Sequence, residues 1–180
     1  MTETLTLSQT PHSHRQSGLT SREILDALRK HHGLCRKYYN GAEPWAFVEE
    51  FMVATAFQNL SRIDALAVKL GRGTVESDTG QLITNERIAY EIKVSRSDLL
   101  RELASPYKRS HAENVCHRWV LATPPNLVRA GELPHGAGLV EIHPRGVKWV
   151  EQGIRKDCES PDSFIASLAR RATRNEVNGG

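Results

Sequence analysis

Three ionisable residues stand inside runs that are otherwise apolar. Asp64 lies between Ile63 and Ala65-Leu66-Ala67-Val68, and Glu91 and Lys93 lie within Ile88-Ala-Tyr-Glu-Ile-Lys-Val94. Both runs read as strands entering a core. Residues two apart on a strand point to one face, so Glu91 and Lys93 share a side of the sheet. Burial of such groups is costly unless they pair or hold a metal. If the two runs are neighbours, two carboxylates and an ammonium converge, and the carboxylates repel. A divalent cation relieves that repulsion, and oxygen donors select Mg²⁺, with Mn²⁺ as the substitute. Such an ion polarises a phosphoryl oxygen and activates water, as phosphodiester hydrolysis requires. Lys93 would orient that water or steady the developing negative charge. Glu50, or its neighbour Glu49, would complete the metal shell from a preceding helix. Only one can face the cluster, because helix neighbours diverge by about 100°. The E-x-K triplet alone is weak, and a solvent-facing edge strand with a cross-strand Glu–Lys pair accounts for the same letters.

The surrounding elements follow from caps and periodicity. Thr20-Ser-Arg-Glu23 forms a capping box for a first helix, striped by Ile24, Leu25 and Leu28 and stopped at Gly33. After the turn-rich stretch from Tyr39, a second helix is predicted from Pro44, with Phe47, Phe51 and Ala54 at helical spacing. The Arg62–Val68 strand follows, then a Gly-rich loop or hairpin tip over Gly71–Gly80, then the Arg87–Val94 strand. Ser95 caps a helix carrying Leu99, Leu100 and Leu103, and Ser105-Pro106 starts another through Val115. Arg118–Thr123 reads as a third core strand, and Gly138–Ile142 with Gly146–Val150 as a hairpin. Ser160-Pro161 caps a last helix in which Phe164, Ile165 and Leu168 pack while Arg170, Arg171 and Arg174 project. The order describes a mixed sheet flanked by helices. Residues 1–18 and 175–180 read as flexible ends around one domain over 19–174.

Composition narrows the class. The 180 residues are 39% hydrophobic and 25% charged, an ordinary globular balance, and carry a net charge of +3. Arg supplies 17 of the 24 cations, which permits nucleic-acid binding if they cluster. No apolar run is long enough to span a membrane and the start of the chain lacks a secretory pattern, so a cytoplasmic protein is expected. Cys35, Cys116 and Cys158 are odd in number and far apart, against a disulfide framework. His31, His32 and Cys35 lack the further ligand pair a structural zinc site needs.

Arg96, Arg101, Lys108, Arg109 and Arg118 follow the acidic motif and could meet phosphates, Arg96 either bracing the site or gripping the scissile group. A solvated helix face explains the others equally. His111 and His117 are candidate general acids or hydrogen-bonding neighbours. Trp45, Trp119 and Trp149 fit core packing, Trp149 with base stacking as a lesser role.

Arg62-Ile-Asp-Ala-Leu-Ala, Tyr90-Glu-Ile-Lys-Val-Ser-Arg-Ser-Asp-Leu-Leu-Arg-Glu-Leu103, Ser105-Pro-Tyr-Lys108 and Cys116-His-Arg-Trp-Val-Leu121 resemble the PD-(D/E)xK nuclease superfamily. Within it they are most similar to the MmcB-like DNA-repair group and related small proteins of actinobacteria and their phages. The resemblance covers residues 44–150, with E-I-K-x-S-R-x-D its most specific part. It implies an α/β, restriction-endonuclease-like fold, with a mixed β-sheet flanked by helices on both faces. It also implies Asp64, Glu91 and Lys93 as catalytic residues. Glu50, Asp64, Glu91 and the Ile92 backbone would be the Mg²⁺ ligands. Arg96, Lys108 and Arg118 become the nucleic-acid contacts. Ile63 stands where the family's proline is usual, His117 where an acid is frequent, and the stretch from Lys69 to Arg87 is long. None of these departures removes a ligand. The expectation is a DNA phosphodiester hydrolase of repair, recombination or phage DNA processing in a bacterial or phage-infected cell. Without a sequence-reading module it would act on structures or ends, or be targeted by a protein partner. The alternative is a catalytically silent nucleic-acid- or protein-binding module on the same fold, for instance in phage counter-defence.

Overall fold

The computed structural model describes residues 18–33, 45–54, 60–69, 74–75, 82–83, 86–158 and 164–171. In chain order these form α1 (Ser21–His32), β1 (Trp45–Ala54), β2 (Leu60–Lys69), β3 (Thr74–Val75), β4 (Leu82–Ile83) and β5 (Arg87–Ile92). There follow α2 (Arg96–Leu103), α3 (Pro106–Val115), β6 (Arg118–Thr123), β7 (Gly138–His143), β8 (Gly146–Glu151) and a helix over 164–171, here α4. The fold is α/β. Six strands make one mixed sheet in the order β1-β2-β5-β6-β7-β8, and β3 pairs with β4 separately. The β1–β2, β2–β5 and β7–β8 pairs are antiparallel, whereas β5–β6 and β6–β7 are parallel.

Helices cover both faces of this sheet. On one face Ile24 and Leu28 of α1 pack over Ala65, Ala67, Tyr90, Val120 and Val140. On the other, Leu99 of α2, Ala112 and Val115 of α3 and Phe164 of α4 pack over Leu66, Ala89, Trp119 and Leu121. Alternation along the central strands sends successive residues to the two cores, so β5 and β6 are buried on both sides. Two of the predicted caps are in place. Thr20 and Glu23 form a capping box, and the Ser95 side chain accepts the Asp98 N–H; Ser105 makes no side-chain cap bond. Among the described residues no helix is long and apolar enough to cross a membrane.

One element departs from expectation. Residues from Trp45 form a strand where a helix is predicted. Trp45, Phe47 and Glu49 oppose Lys69, Ala67 and Ala65, and Val48 opposes Leu66, as a strand register requires. Glu50 then takes φ 48°, and pairing resumes one step later at Phe51↔Ile63. That kink changes which residues face inward, so Val48, Phe51 and Val53 enter the same core. The stripe that suggests a helix is not one face: Phe47 packs on the α1 side of the sheet and Phe51 in the opposite core. Aromatic and β-branched content, which favours a strand, is the signal that decides. The predicted ends at residues 1–17 and 175–180, the Tyr39 turn, Cys35, the Ser160-Pro161 cap, Arg174 and most of Gly71–Gly80 lie outside the described residues.

Candidate metal and phosphate site

Asp64 and Glu91 meet where the β2–β5 ladder ends. Pairing runs from Val68↔Arg87 to Ala65↔Tyr90 and goes no further. One step beyond, the Asp64 Oδ2 atom accepts the Ile92 N–H at 3.0 Å. A side-chain carboxylate thus takes the place of a backbone acceptor, which pins Asp64 beside β5 and keeps a buried amide satisfied. Glu91 projects on the same face as the buried Ala89. Lys93 shares that side, its Nζ 2.6 Å from Glu91 Oε1 and 3.3 Å from Glu102 Oε2. The Lys93 N–H donates to the Ala122 carbonyl at 3.1 Å, so its backbone stays laced to β6. Asp98 Oδ2 stands farther from Nζ, at 4.0 Å.

The electrostatics follow from crowding. Burial pushes the Glu91 carboxyl up to about 7, the Asp64 charge adds to the rise, and Lys93 opposes it. Burial alone would lower Lys93, but Glu91, Glu102 and Asp64 outweigh it and hold the ammonium above its usual range. Glu91 is therefore a carboxylate that gains from added positive charge.

Glu49 and Glu50 part company, from a strand and not from a helix. Glu49 faces α1, where Arg29 and Arg22 pair with it. Glu50 occupies the kink between the pairs Glu49↔Ala65 and Phe51↔Ile63, level with Asp64. Arg62 lies between them, its guanidinium 3.6 Å from Glu50 Oε1 and 3.8 Å from Asp64 Oδ1. Among the described residues no group of three or more His, Cys, Asp or Glu is arranged to hold a metal ion. Asp64 and Glu91 alone still suit Mg²⁺, which keeps most of its waters and takes one or two carboxylates together with substrate phosphate. Ile92 reaches the cluster through its N–H, which Asp64 engages.

Glu102 falls in the segment that reads as a solvated helix face, and the structure buries it. It is buried on α2 three residues after the core residue Leu99, and its carboxylate reaches Lys93. An acid on the apolar face of a helix is the signal that could have found it. Glu91, Glu102, Arg62, Arg109 and Trp119 line a cleft of about 20 Å³, with the Arg109 guanidinium 5.4 Å from the Trp119 ring centre.

The other predicted contacts are dispersed. Arg96 clamps Glu132 with both guanidinium nitrogens, at 2.6 and 2.7 Å, and donates to the Leu127 carbonyl, so it braces the 127–132 loop. Arg118 is level with Ile88, at the far end of the strands from Lys93, and binds Glu86 and the Gly153 carbonyl. Lys108 lies on α3, and its side chain is outside the described residues. His111 stacks edge-on against Tyr107. His117 is buried with its Nδ1 accepting the Arg87 N–H, and burial and nearby arginines lower it to about 4. Trp149 packs against the α1-side core, and His32 pairs with the Tyr90 hydroxyl at 2.9 Å. Cys116 and Cys158 are free thiols.

No family model matches the chain, and no curated protein does. Among solved structures it is similar to the SPO1766 protein of unknown function from Silicibacter pomeroyi. That match has a TM-score of 0.50 and 22% identity, and covers 84% of this chain and 87% of that one. The likeness is one of fold.

Proposed function

We propose that this chain is a Mg²⁺-dependent nuclease that hydrolyses DNA phosphodiester bonds, in repair, recombination or phage DNA processing in the cytoplasm. The observation that carries this reading is the meeting of Asp64, Glu91 and Lys93 at the end of the β2–β5 ladder. Asp64 and Glu91 would hold the cation, and Glu50, level with Asp64 on the neighbouring strand, is the further acid nearby. Bound there, Mg²⁺ supplies charge neutralisation at the phosphoryl oxygens and a lowered pKa for water.

The chain's own groups do the rest. The Ile92 amide fixes one Asp64 oxygen and leaves the other turned outward to Arg62. Lys93, held protonated by three carboxylates, orients a nucleophilic water or steadies negative charge on the phosphate. Glu102, 3.3 Å from the Lys93 ammonium, would keep it paired if Glu91 held the cation. Arg62, exposed and shared between two carboxylates, is free to shift toward an incoming phosphate.

The test incubates purified protein with plasmid, linear and flapped DNA in Mg²⁺, Mn²⁺ or EDTA, beside Lys93→Ala. Metal-dependent cleavage lost in Lys93→Ala is the expected outcome; cleavage that survives it excludes this site. The tight placement of Lys93 between Glu91 and Glu102 favours a second reading, a binding module without turnover that a protein partner would recruit. Binding without cleavage in any metal would select it.

A further inference from the structure

β5, β6 and β7 run parallel, so their carboxyl ends share one edge of the sheet, and the β7–β8 turn lies on that edge. Lys93 follows β5 there, and His143 ends β7. Adjacent strands are about 4.8 Å apart, which places β7 about 10 Å from β5. The turn borders a cleft of about 420 Å³ lined by His143, Pro144, Arg145, Gly146, Val147 and Lys148. Glu141 is buried, accepts the Asn126 N–H at 2.7 Å, and lies 3.1 Å from His143 Nε2. Its charge is thus engaged inside the fold.

Arg145 and Lys148 are different. Both are exposed, and among the described residues neither has a carboxylate at ion-pair distance. By contrast, Arg62, Lys93, Arg96, Arg109 and Arg118 are each paired with acids. Lys148 lies across the ladder from Glu141 without an ion pair, so among the described residues the hairpin offers two cations outside any ion pair beside a cleft, on the edge where Asp64, Glu91 and Lys93 meet.

We propose that this cleft is a phosphate subsite, in which Arg145 and Lys148 take a backbone phosphodiester of the nucleic acid whose scissile phosphate lies near Lys93. It rests on the nuclease reading above. Lys148 stands on β8, three strands or about 14 Å from β5, and one DNA strand advances 3.4 Å per nucleotide along the axis, so the separation corresponds to about four nucleotides. Arg145 can grip two phosphate oxygens at once, and Lys148 adds a point charge. The subsite would fix the register of the substrate without reading its sequence.

The experiment measures anisotropy of a labelled duplex in EDTA over a salt series, for wild type, Arg145→Ala/Lys148→Ala and Lys156→Ala. Lys156 is an exposed cation that pairs with Glu113 elsewhere, and serves as the charge control. Each phosphate contact contributes about 0.9 to the slope of log affinity against log salt. The double variant should lose about tenfold or more in affinity and nearly two in slope, with Lys156→Ala matching wild type. Unchanged binding by the double variant, or an equal loss in Lys156→Ala, would overturn the subsite. Either result leaves the nuclease reading to the Lys93→Ala cleavage assay. A wild type that binds no duplex in EDTA would overturn the subsite and leave the nuclease reading to the cleavage assay in Mg²⁺.

Discussion

Asp64 presents one carboxylate oxygen to the Ile92 amide and the other to the Arg62 guanidinium. Its structural and chemical roles can therefore be separated by substitution. Asp64→Ala leaves the Ile92 N–H unpaired and should cost about 1–3 kcal/mol in urea denaturation. Asp64→Asn keeps an acceptor and should stay within about 1 kcal/mol of wild type, yet abolish cleavage. His32 makes a second residue-scale case. Burial lowers it to about 4, with His31 adding to the effect, and its partner is the Tyr90 hydroxyl. The unfolded chain therefore binds more protons than the folded one between pH 6.5 and 4, so stability falls as pH falls through that window. The loss from this residue is on the order of 3 kcal/mol. His32→Gln should flatten that part of the stability–pH curve relative to wild type. His117, lowered to about 4, leaves a remaining slope of the same sign. Glu91 acts in the opposite sense: its raised proton affinity means that stability declines as pH rises from 4.5 to about 7.

At the scale of elements, the kink in β1 and the close approach of β7 to the segment after β8 are the sensitive points. Glu50 holds φ 48°, a conformation that glycine adopts without strain. Glu50→Gly should leave stability unchanged or raise it by up to about 1 kcal/mol, whereas the β-branched Glu50→Val should lower it, as differential scanning calorimetry would show. Gly153 has φ 70°, and a Cβ there would stand 2.6 Å from the Gly138 nitrogen. Gly153→Ala should therefore cost about 2–4 kcal/mol, through positive φ and overpacking against backbone. β6 was legible because Arg118–Thr123 is a short apolar run between a histidine and two prolines, and the structure keeps those limits. β1 was not, because Phe47 and Phe51, four residues apart as on a helix, pack into the two opposite cores of one sheet. Glu102 reads as part of a solvated helix face because only the packing decides which face of α2 turns toward Lys93.

At the scale of the whole molecule, one sheet separates two apolar cores, and the candidate site sits at the edge of the α2–α3 side. Metal binding to the folded state alone would stabilise the entire domain by mass action, by about 2.7 kcal/mol at a hundredfold excess over Kd. Titrating Mg²⁺ in thermal unfolding should thus raise Tm in wild type and leave Asp64→Asn unmoved. An equal rise in both would place the ion elsewhere.

The order of residues by itself determined that Glu91 and Lys93 share a face, because strand geometry fixes that relation over two positions. It also determined the Thr20 and Ser95 caps, which depend only on neighbours three residues on. Tertiary structure alone decided that Asp64 bonds Ile92, that Glu102 reaches Lys93, and that Arg118 stands far from both. It also set Glu49 against α1 and Glu50 beside Asp64. Those relations depend on strand order and helix placement, which arise from how two cores pack on one sheet and not from spacing along the chain.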